Sequence, residues 1–283
     1  MNRQDYEQLD TGARSILASR TIWVSALIAL PIMVYVFIVL PMYSPPLVEL
    51  PSLVKYDVWE PQHERLILVG DVHGCFDQLM RLLDTVHYDN TTDKVVLLGD
   101  FLSRGPDSLG VMKWAREANA TGVLGNHELN ILSKYQSFRP LMFEDEEVFK
   151  LDKHVGKYDN ELQIARKLTP EDIHYLVRLP VVLNIKGVGI CSHMGVVESQ
   201  PLDKQQVSDL LAMDKDWYHS WNQLQKTLPK HERNVIYYGH FARAGLQLKK
   251  YSKGLDSSCV YGGQLSCLVI DKDGTETLHQ VDC

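Results

Sequence analysis

The stretch that decides the fold is 65-RLILVGDVHGCFDQLMRLLDTV-86. A five-residue apolar run ends at Gly70, a tight GDVHG turn follows, and Phe76, Leu79, Leu82, Leu83 and Val86 then recur at helical spacing. Strand, short polar turn, amphipathic helix is the opening of a βαβ unit. The pattern repeats twice. KVVLLG at 94–99 runs into GDFLSRG, with Pro106-Asp107-Ser108 marking a helix start ahead of Val111, Met112 and Ala115. TGVLG at 121–125 runs into GNHE. A βαβαβ run predicts a mainly parallel sheet that gathers its ligands beyond the strand C-terminal ends.

Each turn carries metal-ligand chemistry. Asp71 and His73 sit two apart in a glycine-flanked turn; Asp100 offers two oxygens that can bridge two cations; Asn126 offers a neutral carbonyl. Farther on, VVLNIK, Gly187-Val188-Gly189 and GICSH predict a hairpin that delivers His193, and NVIYYGH a strand that delivers His240. QLSCLVID and TETLHQV around Lys272-Asp273-Gly274 predict a closing hairpin, so the second half reads as antiparallel β. The expected fold is an α/β two-sheet sandwich with helices outside. Mixed nitrogen and oxygen ligation suits Zn, with Mn or Co as alternatives, better than Ca or Mg. Two such cations side by side suit hydrolysis at phosphorus. Glycines 70, 74, 99 and 125 would let the backbone come close to them.

The formal charge of −7 argues against a general nucleic-acid binder. Five dispersed cysteines with no CxxC pair imply neither a zinc ribbon nor a dense disulfide framework. The N-terminal part is a different kind of sequence. Thr21–Val48 holds no charged residue, and residues 22–40 are almost wholly apolar, which predicts a membrane-spanning signal anchor over 21–40. Arg14 and Arg20 precede it and no Lys or Arg lies between Met42 and Lys55, so residues 1–20 are expected as a cytosolic tail and the rest in a lumen. Prolines 41, 45, 46, 51 and 61 make 41–63 an extended linker, with the folded domain expected over 64–283. Sequons at Asn90 and Asn119 suit a lumenal placement. Residues 144–168 read as a solvated helical insertion, Thr169-Pro170-Glu171-Asp172 as a helix start, and the aromatic residues of 216–221 as packing.

GDVHG, GDFLSRG, GNHE, SHMG at 192–195 and YGH at 238–240 resemble the phosphoprotein-phosphatase branch of the calcineurin-like metallophosphoesterases. GLDSSCVYGG at 254–263 and YGHFARAG at 238–245 are similar to its diadenosine-tetraphosphatase-like subgroup. The resemblance implies one cation on Asp71, His73 and Asp100 and a second on Asp100, Asn126, His193 and His240. It makes His127 the general acid toward the leaving oxygen and Arg104 the phosphate clamp. Arg243, and a set of Lys153, Lys157, Arg166 and Lys167, are further candidate anion contacts. The apolar span joined to such a domain resembles the anchored zinc-dependent endopolyphosphatases of the fungal vacuole. That implies inorganic polyphosphate as substrate, with dinucleoside polyphosphates, nucleotide caps or phosphoproteins as rivals. Protein phosphatases of the branch carry GDYVDRG, whose second Asp partners the histidine of GNHE; Ser103 stands there instead. Without that carboxylate, His127 is expected to be less firmly oriented and less readily protonated, a tilt toward the better leaving groups of phosphoanhydrides.

Overall fold

The computed structural model describes residues 23, 25, 27–39, 53–59, 63–138, 159–214 and 216–283. The chain divides into two compact units, and the predicted ligands all lie in the second, Leu47–Ser137 with Phe149–Cys283.

One sheet of that unit has five strands: β2 (Arg65–Val69), β3 (Asp93–Leu97), β4 (Thr121–Gly122), β10 (Gln264–Asp271) and β11 (Glu276–Asp282). Their order is β11-β10-β2-β3-β4, with β2, β3 and β4 parallel and β10 and β11 antiparallel to their neighbours. The other has six: β1 (Val54–Val58), β5 (Val182–Lys186), β6 (Gly189–Ser192), β7 (Ile236–Tyr238), β8 (Gln247–Leu248) and β9 (Ser252–Gly254), in the order β1-β5-β6-β7-β9-β8. The hairpin β5–β6 and the hairpin β10–β11 stand where the sequence put them. The second half is not purely antiparallel, however. β7 pairs parallel with both β6 and β9, because the helical connection over 207–227 and the turn after His240 carry the chain back before each new strand.

Two faces of β2 are buried, as its continuous apolar run requires. Leu66 and Leu68, with Val96, Leu98 and Val123, face Leu183, Ile185, Cys191 and Tyr237 of the other sheet and form the core between the layers. Ile67 and Val69 point the other way and are fully buried, on the side covered by α1 (Phe76–Thr85) and α2 (Ser108–Glu117). Asp107 caps α2 by accepting the Gly110 N–H. Outside the six-stranded sheet, Trp217, Tyr218 and Trp221 of helix Trp217–Thr227 pack on Ile190, Ile236 and Tyr238, which makes these aromatics core. Three further helices matter for the site: α3 (Asn126–Phe138), α4 (Asn160–Ala165) and α5 (Pro170–Leu176), the last closed by a full Thr169/Asp172 capping box.

Two expectations need revision. Val54–Val58 lies inside the predicted linker yet pairs parallel with β5, so the folded domain begins before residue 64; Val54, Tyr56 and Val58 alternate with Lys55 and Asp57, a strand pattern hidden between the flanking prolines. The charged 144–168 segment is not simply solvated: Leu162, Ile164 and Ala165 of α4 are buried, while 139–158 lies outside the described residues. No helix among the described residues is long and apolar enough to cross a membrane. Residues 27–34 are α-helical and Tyr35–Val39 form a π-helical turn; together they rise about 20 Å against a hydrocarbon core of about 30 Å. The other residues of the expected span, and the 1–20 tail, lie outside the described residues.

Candidate metal centre

The parallel strands all release their turns at one end of the sandwich. β2 and β3 run in register, Val69 opposite Leu97, so Asp71 and Asp100 emerge side by side. β4 leads to Asn126 at the start of α3, β6 ends next to His193, and β7 ends two residues before His240. All six predicted ligands meet there. His193 Nε2 lies 3.1 Å from Asp100 Oδ2, 3.2 Å from Asn126 Oδ1 and 3.2 Å from His240 Nδ1. His73 Nε2 lies 3.8 Å from Asp100 Oδ2 and 3.9 Å from Asp71 Oδ2. Two clusters result, His73–Asp100–His127 and Asp100–His193–His240, and they share Asp100. His73, Asp100 and His240 all hold left-handed backbone (φ 47°, 47° and 70°), a conformation that costs a non-glycine residue roughly 1–3 kcal/mol.

The hydrogen bonding fits cations. His193 Nδ1 faces the Leu98 carbonyl at 2.8 Å, and His73 Nδ1 faces that of Leu102 at 3.4 Å. A carbonyl only accepts, so each Nδ1 carries the proton and each Nε2 turns a lone pair into the cluster, the arrangement of a ligating histidine. Buried lone pairs and carboxylates this close repel one another unless positive charge lies among them.

A family model described as calcineurin-like phosphoesterase matches residues 64–268. The chain belongs to the calcineurin-like phosphoesterase family. It is 27% identical to the zinc-dependent endopolyphosphatase of Saccharomyces cerevisiae over 279 residues, covering 82% of this chain and 85% of the relative. It is 22% identical to the symmetrical bis(5'-nucleosyl)-tetraphosphatase of Methylobacillus flagellatus, covering 76% and 94%. A solved structure with a provisional diadenosine tetraphosphatase assignment superposes with a TM-score of 0.62 at 26% identity, covering 80% of this chain and 97% of that one. Calcineurin-like phosphoesterases are metal-dependent hydrolases, and this chain is one of them.

Without cations, protons gather at the phosphoesterase site. Burial opposes charge on His193, but Asp100 and Asp71 outweigh it and push its pKa up to about 10. Burial would lift the Asp100 carboxyl, yet His193, His73 and His127 hold it well below the usual carboxylate range. Burial drives His73 and His240 down to about 4, helped at His240 by His193. Asp71 is raised by burial and by Asp256, a buried carboxyl that shares a hydrogen bond with it.

The remaining predicted residues divide. Arg104 is at the mouth, where its guanidinium donates to the Tyr261 hydroxyl and lies 5.7 Å from that ring's centroid. Arg243 is exposed on the turn after His240 and makes none of the site's hydrogen bonds. Arg166 is half-buried and Lys167 exposed; Lys153 and Lys157 lie outside the described residues. His127 Nε2 is buried, 3.9 Å from Asp100 Oδ2, with no hydrogen-bond partner.

Sequence reasoning missed four residues. Glu128, fully buried, accepts the N–H groups of Asp100, Leu102 and Gly125 and so ties the second turn to the third. It stood inside the quoted GNHE with no role assigned. Asp256 stood likewise inside GLDSSCVYGG. Gly239 was passed over although a Cβ there would sit 2.0 Å from Asp71 Oδ1, closer even than the 2.2 Å between a Cβ on Gly125 and Asp100 Oδ1. The fourth, Glu161, overturns the expectation for Ser103. His127 does have a carboxylate partner: its Nδ1 lies 2.8 Å from Glu161 Oε1. Ser103 is buried beside that segment, with its hydroxyl accepting from Asn160 Nδ2 at 3.3 Å. Glu161 lies 34 residues beyond His127, in a charged stretch whose composition reads as surface.

Proposed function

We propose that this phosphoesterase hydrolyses internal phosphoanhydride bonds of inorganic polyphosphate. The observation that carries the reading is the 27% identity to the yeast endopolyphosphatase along most of both chains. Asp71, His73, Asp100, Asn126, His193 and His240 would hold two divalent cations, Zn by preference, which would supply an activated water and neutralise charge on the phosphate under attack. Asp100, common to both clusters, would be shared by the two. Arg104, at the mouth beside Tyr261, would bind two phosphate oxygens through its guanidinium fork. His127 Nε2, buried and unpartnered, gives a proton to the departing phosphate oxygen.

A second reading, hydrolysis of dinucleoside polyphosphates, is favoured by one feature. The Tyr261 ring is 65% exposed beside Arg104, where a nucleobase could stack while the arginine holds the phosphate. The deciding experiment gives the purified enzyme long-chain polyphosphate, diadenosine tetraphosphate and a phosphoserine peptide, each with Zn, Mn, Co and Mg. Progressive shortening of polyphosphate to mid-length chains is expected; cleavage of the nucleotide alone, or release of orthophosphate alone, defeats the proposal.

We also propose the lumenal, membrane-anchored topology, in a vacuole-like compartment. Three things support it: the charge-free run from Thr21 to Val48, an exposed sequon at Asn90, and a Cys259–Cys283 disulfide of the kind that persists in oxidising compartments. Resistance of Asn90 to glycosylation in cells, together with extraction of the full chain by carbonate, overturns it.

A further inference from the structure

We propose that Glu161 is the positioning residue of His127: a carboxylate brought from a different segment to the place left open by Ser103. This rests on the reading of His127 as the group that protonates the leaving oxygen.

The case is geometric. His127 and Lys134 lie seven residues apart on α3, two turns, and so share one face of that helix. The first turn of α4 fits against that face. Asp159 caps α4 by accepting the Leu162 N–H at 3.0 Å, and its carboxylate also takes Lys134 Nζ, at 2.6 Å on Oδ2. The same ammonium donates to Glu161 Oε2 at 3.0 Å, which leaves Oε1 for His127 Nδ1 at 2.8 Å. Glu161 is therefore held from both sides, and a held carboxylate fixes both ring angle and tautomer. A carboxylate can only accept, so Nδ1 keeps its proton for Glu161 throughout, and the proton given to the leaving oxygen is the second one, carried by the imidazolium on Nε2, the atom that faces Asp100. Between α4 and the second motif, Asn160 donates to the Ser103 hydroxyl, so the replacing segment touches the replaced position. The charge missing from GDFLSRG is thus supplied two residues beyond the α4 cap.

A residue that only stabilises the fold would, when changed, slow every substrate alike. A residue that aims the proton donor matters most where the leaving group is poor. The test measures kcat and KM for aryl phosphates with poor and good leaving phenols, in the full metal-loaded chain, for Glu161→Gln, Glu161→Asp and Glu161→Gln combined with Ser103→Asp. The expected result for Glu161→Gln is a fall in kcat of about 10–100-fold on the poor leaving group and under about 3-fold on the good one, with KM and bound metal unchanged, given that positioned proton transfer is worth about 10²–10⁴-fold. Glu161→Asp retains part of the rate, and Ser103→Asp restores part of it to the Gln variant. A nitrogen-proton spectrum of the imidazoles supplies a readout independent of turnover: the low-field Nδ1–H signal that His127→Gln removes is also lost in Glu161→Gln.

Equal losses on both leaving groups, no loss at all, or persistence of the Nδ1–H signal overturn the proposal. His127→Ala separates the two layers. If that variant itself fails to discriminate between leaving groups, the proton-donor reading falls, and Glu161 stands or falls on the Nδ1–H signal. If it discriminates and Glu161→Gln does not, Glu161 alone is wrong.

Discussion

Replacing Glu128 by Gln tests how the site is framed. Burial first, and the Asp100 charge second, push the Glu128 carboxyl up to about 7, so at pH 8 it is mostly ionised and accepts three N–H groups: Asp100 at 2.8 Å and Gly125 at 2.9 Å on Oε2, Leu102 at 2.9 Å on Oε1. A glutamine has the same shape but one carbonyl oxygen. Turned to serve Asp100 and Gly125, it points its own N–H groups at the Leu102 N–H. One buried donor is orphaned, at a cost of about 1–3 kcal/mol, and two charge-assisted bonds become neutral ones, at about 0.5–1 kcal/mol each. The expected loss is about 2–5 kcal/mol, or roughly 10 °C in melting temperature for a domain of this size. Because the displaced amides flank Asp100, affinity for the cations should also fall by about 10–100-fold, in line with other lost supports of ligating groups. Thermal unfolding of the loaded protein and chelator competition measure the two effects. Glu128→Ala must be worse, since it orphans all three donors. A glutamine variant that melts within about 2 °C of the parent, or an alanine variant no worse than glutamine, refutes the accounting by oxygen atoms.

Other outcomes follow from the same geometry. In metal-free protein His193, with a pKa of about 10, sits above its unfolded value of 6.5, so its contribution is full below pH 6.5 and lost as pH rises through 10. His73 and His240, at about 4, are neutral in both states above pH 7 and do not oppose this. Melting temperature with chelator should therefore fall from pH 7 to 10, and stay flatter when cations are bound. Gly239→Ala should displace Asp71, costing about 1–3 kcal/mol and part of the bound metal, whereas Gly274→Ala, with open space around its Cβ position, should leave metal content unchanged; metal analysis of the two compares them. Cys283→Ser opens a loop of sequence separation 24 and should cost about 3 kcal/mol in a non-reducing melt, while reductant should bring the parent to the same midpoint.

Much of the fold and the ligand set was legible because each ligand sits one to four residues beyond a strand and that adjacency is local. The pieces that escaped notice are held by distance along the chain. β1 was hidden because five residues of edge strand between prolines look like linker until β5 is there to pair with. Glu128 is legible as a buried hub only when three backbone amides from two turns converge on it. Glu161 illustrates the limit best. Ser103 was rightly read as a missing carboxylate, but nothing in 159–161 marks which of its acids will swing inward to His127 rather than into water. Its structural partner, Lys134, likewise gives no signal in a helix whose face is defined only once α4 docks.

The origin of the ligands has a bearing on how the protein comes to hold metal at all. Asp71, His73, Asp100 and Asn126 issue from one sheet and His193 and His240 from the other, and β2 is flanked by β10, which is formed by Gln264–Asp271. No part of the chain short of nearly the whole domain supplies both cation positions on a closed framework. Filling both positions at once therefore needs both sheets in place. A chain made only as far as Asn126 carries ligands for one position and lacks both histidines of the other. Occupancy of both positions would therefore report that the two sheets have come together.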